Sequence, residues 1–380
     1  MSPLTRLPVL MASTSYPANE GDWKGLFILR LTEALARRDD IRLQIWSPPG
    51  PLPENVESLI DKTQAAWLGR LMQEGGIAHL LRNRPIRGLR AAAKFLLNLH
   101  EVFKRNADAS IFHINWLQCA LALPGNDRPV VLTALGSDMQ MLSIPGVRLW
   151  LMHALRGHPT TICPNAKWMV APLAKALGRV ANIRYVPFGV DERWLNIDRV
   201  ITNSPVQRWL VVSRLTKDKL GPLFTWGESL FSGSTRELHL FGPMQEEVPI
   251  PEYVFYHGPI TPDALAEHWF PQAHGLVTLS QHPEGRPQVM LEAMAAGLPI
   301  VATRLPAHED LLTHQVTGWL CDDQASFTSG IEALSVAELN RKIGAQAAEW
   351  VAANVGTWSD CAQRYIDVYR TLQPRLGGPE

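Results

Sequence analysis

Short apolar runs alternate with helical patterns along the chain, and this alternation most narrowly limits the folds open to it. Strands separated by helices pair in parallel, because the helix carries the chain back to the same edge of the sheet. The alternation starts afresh after the polar, turn-rich residues 196–205. The sequence therefore predicts two Rossmann-like α/β units joined near residues 188–205. The strand candidates are residues 8–12, 41–46, 110–114, 129–134, 160–163 and 183–186, then 209–213, 237–241, 253–256, 275–279, 299–302 and 319–321.

Length and composition indicate an ordinary globular protein with two domains. The chain has 380 residues, of which 46% are hydrophobic and 19% charged, and it is long for a single core. Lys+Arg and Asp+Glu both number 36, so the charge gives no argument for a nucleic-acid partner. The 4 cysteines have no paired spacing, which is typical of thiols in a reducing compartment. No apolar stretch approaches the roughly 20 residues that a membrane span needs. We therefore expect a cytoplasmic protein.

Two glutamates, Glu284 and Glu292, lie eight residues apart across a predicted loop-to-helix junction. A strand candidate precedes Glu284, Pro287 suits the first turn of a helix, and Gly297 suits its end. Unpaired amides at a helix N-terminus attract an anion such as phosphate. Carboxylates beside a phosphate would repel it unless they hold hydroxyl groups instead. A nucleotide sugar offers both kinds of group, a diphosphate and hydroxyl-rich rings.

Two cations follow the strand candidate at 209–213. Arg214 offers planar, bidentate donors to phosphate oxygens, and Lys219 adds a compact charge. Cations placed there would stabilise a leaving diphosphate, which gains negative charge as a glycosidic bond breaks. The alternative is a solvated basic loop, since Lys217 lies between them.

The segment 284–292 resembles the E-x7-E signature of the retaining glycosyltransferases of family 4, which have the GT-B fold. The match extends to 213–215 with Lys219, to 284–303, Glu309 and 317–320, and more loosely to Tyr16, Pro17, Gly25, 112–113, 136–138 and 186–191. The resemblance implies two Rossmann-like domains facing a cleft. Residues 1–187 would form the acceptor-side domain, with 359–380 crossing back to it, and 188–358 the nucleotide-sugar-binding domain.

The resemblance also implies roles for single residues. Glu284 would accept hydrogen bonds from donor-sugar hydroxyls and Glu292 from the nucleotide ribose. The donor-binding candidates are Gly25, Arg214, Lys219, Glu284, Gly285, Arg286, Pro287, Gln288 and Glu292, and the catalytic candidates are Glu284, His113, Arg214 and Lys219. Arg286 departs from the family, which often has an apolar or aromatic residue there. It could bind a carboxylate or phosphate of a substrate, or point outward.

Four candidates in the first half carry structural alternatives. Similar enzymes place a histidine near the reacting sugar, which assigns that role to His113, although a histidine at a strand end is more often structural. Asp138 could touch the acceptor or cap a helix. Trp116 could stack on an acceptor sugar or belong to the core. For Gly25, a plain loop competes with contact to the donor phosphate.

No Asp-x-Asp pair occurs in a strand-loop setting, so the sequence suggests no metal and no cofactor beyond the nucleotide diphosphate sugar as co-substrate. Residues 62–105 hold nine Lys or Arg against Glu74 and Glu101 among apolar residues. Such a basic amphipathic stretch is typical of peripheral contact at the inner face of the cytoplasmic membrane, which suits a lipid-linked acceptor. A pair of domain helices with a solvated basic face is the alternative.

These observations predict a retaining, metal-independent glycosyltransferase that moves a sugar from a nucleotide diphosphate sugar to an acceptor hydroxyl. The acceptor would be a saccharide or lipid-linked saccharide of bacterial polysaccharide or glycolipid biosynthesis. Two alternatives stay open: a nucleotide-sugar epimerase or hydrolase of the same fold, and a catalytically silent GT-B partner subunit.

Overall fold

The computed structural model describes residues 6–19, 22–106, 108–199 and 206–373. It divides into two compact units, Met1–Phe188 with Trp358–Glu380, and Gly189–Thr357. The predicted domain boundaries, at 187/188 and 358/359, differ from these by one residue. The predicted turn-rich segment 196–205 lies outside the described residues from 200 onward.

The first unit has a parallel sheet of seven strands in the order β3-β2-β1-β4-β5-β6-β7. Its strands are β1 (Leu7–Ala12), β2 (Ile41–Trp46), β3 (Glu57–Ser58), β4 (Ile111–Asn115), β5 (Val130–Ala134), β6 (Thr160–Pro164) and β7 (Asn182–Ile183). Its helices are α1 (Leu26–Ala36), α2 (Lys62–Gln73), α3 (Gly76–Asn83), α4 (Pro85–Arg105), α5 (Gly136–Met141), α6 (Val147–Ala154) and α7 (Val170–Leu177).

The second unit has a parallel sheet of six strands in the order β10-β9-β8-β11-β12-β13. Its strands are β8 (Gln207–Val212), β9 (Arg236–Phe241), β10 (Val254–Gly258), β11 (Gly275–Thr278), β12 (Ile300–Thr303) and β13 (Trp319–Cys321). Its helices are α8 (Glu192–Leu195), α9 (Lys217–Leu220), α10 (Leu223–Phe231), α11 (Pro262–Ala264), α12 (Gln288–Ala295), α13 (Pro306–Glu309), α14 (Gln324–Leu334) and α15 (Ala337–Asn354). The last helix, α16 (Trp358–Leu372), belongs to the first unit and packs against α1, β5 and β6.

Both sheets have the strand order of a Rossmann fold, in which the order reverses beside the first strand of the unit. All residues of β4, β5 and β6 are buried, because helices cover both faces of such a sheet. In each unit the buried apolar residues form two clusters. The reversal lies between β1 and β4 in one unit and between β8 and β11 in the other. Open α/β sheets bind ligands beyond the carboxyl ends of their strands at that point.

The strands lie close to the predicted runs, and the predicted α/β class with two Rossmann-like units is confirmed. Two differences concern edge strands. The candidate at 183–186 is a strand only at Asn182–Ile183. The short strand β3 was not predicted, because both of its residues are exposed and polar. Among the described residues, no helix is long and apolar enough to cross a membrane.

Candidate active site

Two loops meet at the point where the strand order of the second unit reverses. One follows β8, carries Arg214 and leads into the short helix α9, which holds Lys219; the other follows β11 and carries Glu284. The N–H of Gln281 donates to the carbonyl oxygen of Asp218 at 2.7 Å. A Cβ at Gly221 would lie 2.0 Å from the carbonyl oxygen of Leu279, so only glycine permits this approach. The neighbouring strands therefore bring together three predicted site residues that are separated in sequence.

An ion pair joins the two loops, between Nζ of Lys219 and Oε1 of Glu284. Their side chains are only 12% and 14% exposed, so solvent screens the pair weakly. The Ser280 hydroxyl also donates to Oε1 of Glu284, at 3.2 Å. Thr303, at the end of β12, donates from its hydroxyl to the carbonyl oxygen of Ser280 at 2.7 Å. These contacts hold the Glu284 loop in position from two neighbouring strand ends.

The charge of Lys219 is held in an unfavourable setting. Burial lowers the pKa of Lys219, the carboxylate of Glu284 opposes that shift, and the charge of Arg214 adds to it. Arg214 lies at the end of β8, and its Nη1 donates to Oε1 of Gln245 at 3.4 Å. Two cations so placed, one of them partly buried, create a positive potential suited to a multiply charged anion such as a diphosphate.

The predicted helix after Glu284 is α12, which starts at Gln288 with Pro287 as its N-cap and ends before Gly297, whose φ is +66°. Glu292 is partly buried within α12. The side chain of Gln288, a donor-binding candidate, donates from Nε2 to the carbonyl oxygen of Gly189 at 2.9 Å. In this structure it therefore ties α12 to the first residue of the unit.

Arg286 is buried, with 9% of its surface exposed. Of the two alternatives from the sequence, the outward-pointing side chain is therefore wrong. Gly285 and Arg286 lie in the loop between the Lys219–Glu284 pair and α12.

A histidine that sequence reasoning missed lies beside the pair. His308, on α13 after β12, is 0% exposed, and its Nδ1 donates to the carbonyl oxygen of Thr303 at 2.7 Å. Burial lowers the pKa of His308, and the charges of Glu284 and Lys219 also act on it. The family match in the sequence includes the neighbouring Glu309 but gives no role to His308, and β12 comes next to β11 only in the folded sheet.

In the first unit, His113 lies in the core rather than at a surface. It is 0% exposed, Nδ1 lies 2.6 Å from the hydroxyl of Tyr369, and Nε2 lies 2.8 Å from the hydroxyl of Thr133. Burial lowers the pKa of His113 to about 3, so the ring is neutral at pH 7. Both ring nitrogens of His113 are hydrogen-bonded within the core. The structure therefore favours the structural role for His113 over contact with a sugar.

Asp138 and Trp116 belong to one loop arrangement in the first unit. Asp138 is 1% exposed and accepts from the N–H groups of Leu135 at 2.7 Å and Leu117 at 3.0 Å. Burial raises the pKa of Asp138 to about 7, and these two bonds oppose the rise. The carboxyl group of Asp138 thus binds the backbone at the N-terminus of α5 and the backbone at Leu117, directly after Trp116. Trp116 has a φ of +68° and packs its partly buried ring 5.8 Å from that of Phe27.

Gly25 immediately precedes α1 with a φ of +73°, where glycine is favoured. A Cβ at this position would lie 2.8 Å from the carbonyl carbon of Ser15. The local backbone therefore requires glycine, whichever ligand the loop contacts.

Comparison with known proteins gives a partial sequence match and an extensive structural one. Residues 230–335, which include Glu284 and Glu292, match the family of glycosyl transferases group 1. A search of curated proteins finds no match.

Several solved structures have the same fold over nearly their whole length. Sucrose-phosphate synthase from Thermosynechococcus elongatus is 15% identical, with a TM-score of 0.71 over 97% of this chain and 99% of that one. HepE from Anabaena, solved with UDP and glucose, is 13% identical, with a TM-score of 0.63 over 96% and 100%. The trehalose-6-phosphate protein from E. coli, solved with UDP-2-fluoro glucose, is 11% identical, with a TM-score of 0.67 over 97% and 100%. The segment match and the fold together support a glycosyltransferase of the GT-B fold.

Proposed function

We propose that this chain is a retaining, metal-independent glycosyltransferase that moves a sugar from a nucleotide diphosphate sugar to an acceptor hydroxyl. The observation that carries the proposal is the partly buried Lys219–Glu284 ion pair where the strand order of the second unit reverses, with Arg214 beside it. A carboxylate that binds hydroxyls and cations that bind phosphate are thereby held within one small region. A nucleotide sugar has both groups.

The pair has a chemical role at each end of the donor. As the glycosidic bond breaks, the leaving diphosphate gains negative charge. Arg214 and Lys219 therefore stabilise the transition state more than they stabilise the bound donor. Lys219 and Ser280 both contact Oε1 of Glu284. Each carboxylate oxygen can accept hydrogen bonds, so we assign Oε2 to a hydroxyl of the donor sugar. Glu292 would accept from the nucleotide ribose, as the family resemblance implies.

The solved relatives support a nucleotide-sugar donor. HepE is solved with UDP and glucose, and the E. coli protein with a fluorinated UDP-glucose. We propose a donor of this class, with a bacterial polysaccharide or glycolipid as the acceptor. Retention of configuration is tested by NMR of the product anomer, which should have the configuration of the donor.

The decisive variant is Glu284→Gln, which keeps the side-chain volume but removes the charge and half of the acceptor capacity. Transfer should fall at least 100-fold, on the order of 3 kcal/mol of transition-state stabilisation, while nucleoside diphosphate binding changes little. Glu292→Gln should instead weaken nucleotide binding more than turnover. The matched control is Glu332→Gln, at an exposed position on α14. Near wild-type transfer by Glu284→Gln would contradict the sugar-holding role.

A membrane-facing surface is a second part of the proposal, and α4 supports it. Ile86, Leu89 and Leu97 are 70%, 63% and 67% exposed and share one face of the helix. Arg90 and Lys94 lie between them in sequence, so apolar and basic groups alternate as in interfacial helices. We propose that this face contacts the anionic inner leaflet of the cytoplasmic membrane, where a lipid-linked acceptor would lie.

Cosedimentation with anionic vesicles at low and high salt tests the membrane contact. Binding should be strong at low salt, weaken at high salt, and be lost when Ile86, Leu89 and Leu97 are all changed to Ser. Val336→Ser removes another apolar side chain, 57% exposed, outside this face and is the control. Equal binding by the triple variant and the control would refute the proposed surface.

A further inference from the structure

The unexplained feature beside the candidate active site is the imidazole of His308. The ring is completely buried, and its Nε2 has no hydrogen-bond partner among the residues that the structure describes. A buried polar atom without a partner is destabilising, so most such atoms in folded proteins are paired. An exception on the short helix α13, next to a proposed ligand site, has a ready explanation if the ligand supplies the partner.

The ring is held in one orientation. Its Nδ1 lies 2.7 Å from the carbonyl oxygen of Thr303, which can only accept, so Nδ1 carries the hydrogen. Burial lowers the pKa of His308, which keeps the ring neutral. A neutral ring protonated on Nδ1 has a lone pair on Nε2. The unpartnered atom is therefore an acceptor.

The same residues that orient His308 also orient Glu284. Thr303 accepts from His308 through its carbonyl and donates through its hydroxyl to the carbonyl oxygen of Ser280. Ser280 in turn donates to the carboxylate of Glu284 at 3.2 Å. The ends of β11 and β12 are thus linked by a short chain of hydrogen bonds with an acceptor group at either end.

We propose that Nε2 of His308 accepts a hydrogen bond from a hydroxyl of the donor sugar, next to the hydroxyl held by Glu284. The inference rests on the proposed function and adds a sugar-binding residue to it. Because Nε2 is an acceptor, it favours a hydroxyl over a phosphate oxygen, which has no hydrogen to donate. Two acceptors fixed on the segments that follow two adjacent strands would select the positions of two hydroxyls on one ring.

Two substitutions separate this role from a structural one. His308→Asn keeps an amide N–H that can bind the Thr303 carbonyl but removes the acceptor at the Nε2 position. His308→Gln places an amide oxygen near the Nε2 position but loses the bond to Thr303. A purely structural histidine tolerates Asn better than Gln, whereas a histidine that holds a sugar hydroxyl tolerates Gln better than Asn.

The readout is binding of UDP, GDP and ADP compared with UDP-glucose, GDP-mannose and ADP-glucose, measured by thermal shift and calorimetry. The nucleotide and nucleotide sugar that raise the melting temperature of the wild-type protein most are used for the variants. The ratio of nucleotide affinity to nucleotide-sugar affinity isolates the sugar contacts. In His308→Asn, that ratio should shift about fivefold against the sugar, as expected for one net hydrogen bond. Affinity for the free nucleotide should change less than twofold.

The outcomes distinguish the inference from the proposed function. The wild-type protein should prefer the nucleotide sugar over the free nucleotide. If His308→Asn keeps that full preference, or if His308→Gln loses at least as much of the preference as His308→Asn does, the role of His308 is refuted and the proposed function stands. If none of the nucleotide sugars protects the wild-type protein, the proposed donor is refuted, and the inference with it.

Discussion

The Lys219–Glu284 pair allows a prediction that separates stability from activity, because the double variant should regain stability but not transfer. Lys219→Met and Glu284→Gln, made singly and together, each remove a charge and keep most of the side-chain volume. The side chains are 12% and 14% exposed. Burial is the largest influence on the pKa of Lys219 and lowers it, despite the opposing carboxylate. The ion pair therefore does not fully offset the free-energy cost of burying the lysine charge.

The magnitudes follow from that imbalance. Breaking a buried pair typically costs about 3–5 kcal/mol, and the partial exposure here reduces this to about 2–3 kcal/mol for Lys219→Met. Glu284→Gln should cost less, because the amide oxygen of Gln can still accept a hydrogen bond from Lys219. The stability of this variant should rise as the pH rises toward the unfolded-state value of 10.5, since the unfolded chain then binds more protons. The double variant, with no buried charge at this position, should lie within about 1 kcal/mol of wild type or above it.

The assay is denaturant unfolding of the four proteins at pH 7, combined into a double-mutant cycle, with transfer rates measured alongside. The coupling free energy should be about 2 kcal/mol, while all three variants lose transfer. Glu332→Gln, at an exposed position on α14, controls for the chemistry of the substitution. If the loss of stability in the double variant equals the sum of the losses in the two single variants, the pair is not coupled in solution.

Three further predictions concern single groups. Because the pKa of His113 is lowered from 6.5 to about 3, the unfolded chain binds a proton that the folded chain does not, and stability should be lost as the pH falls below 6.5. Between pH 6.5 and pH 5 the loss should be about 1.6 kcal/mol by chemical denaturation, and His113→Gln should lack that component. Parallel pH profiles for the two proteins would contradict the burial argument. Gly25→Ala should destabilise by about 1–3 kcal/mol in thermal unfolding, more than Gly157→Ala, because both have positive φ but only Gly25 also lacks room for a Cβ; equal effects would argue against the contact with Ser15. Transfer should survive EDTA, and loss of transfer with EDTA followed by recovery with Mg²⁺ would refute metal independence. Removal of the Arg214 side chain should lower transfer and weaken diphosphate binding by about 2–5 kcal/mol.

The sequence alone predicts the architecture because buried parallel strands are apolar along their whole length and are separated by helices. The runs at 41–46 and 319–321 have the same bounds in the structure, as Ile41–Trp46 and Trp319–Cys321. Strands that lack this signal are missed. Glu57–Ser58 pairs with β2 at the sheet edge through backbone hydrogen bonds, and its side chains are exposed.

Sequence also indicated which side chains of the second unit would cluster. Arg214, Lys219 and Glu284 all follow strand candidates, and the carboxyl ends of parallel strands meet at one edge. It could not supply the ion pair itself, because that requires β8 and β11 to be neighbours. Their adjacency follows from the reversal of strand order, which depends on how the helices pack on both faces of the sheet.

Burial and long-range hydrogen bonding were decided only by the tertiary structure. His113 is bound by Tyr369, which is 256 residues away, so no local pattern could distinguish a core histidine from a sugar-binding one. Arg286 is enclosed although a loop arginine is usually solvated, and His308 gains its position from β12 packing beside β11. Local sequence determines where strands and loops fall along the chain. The chemical state of a side chain depends on neighbours that only folding brings within a few ångströms.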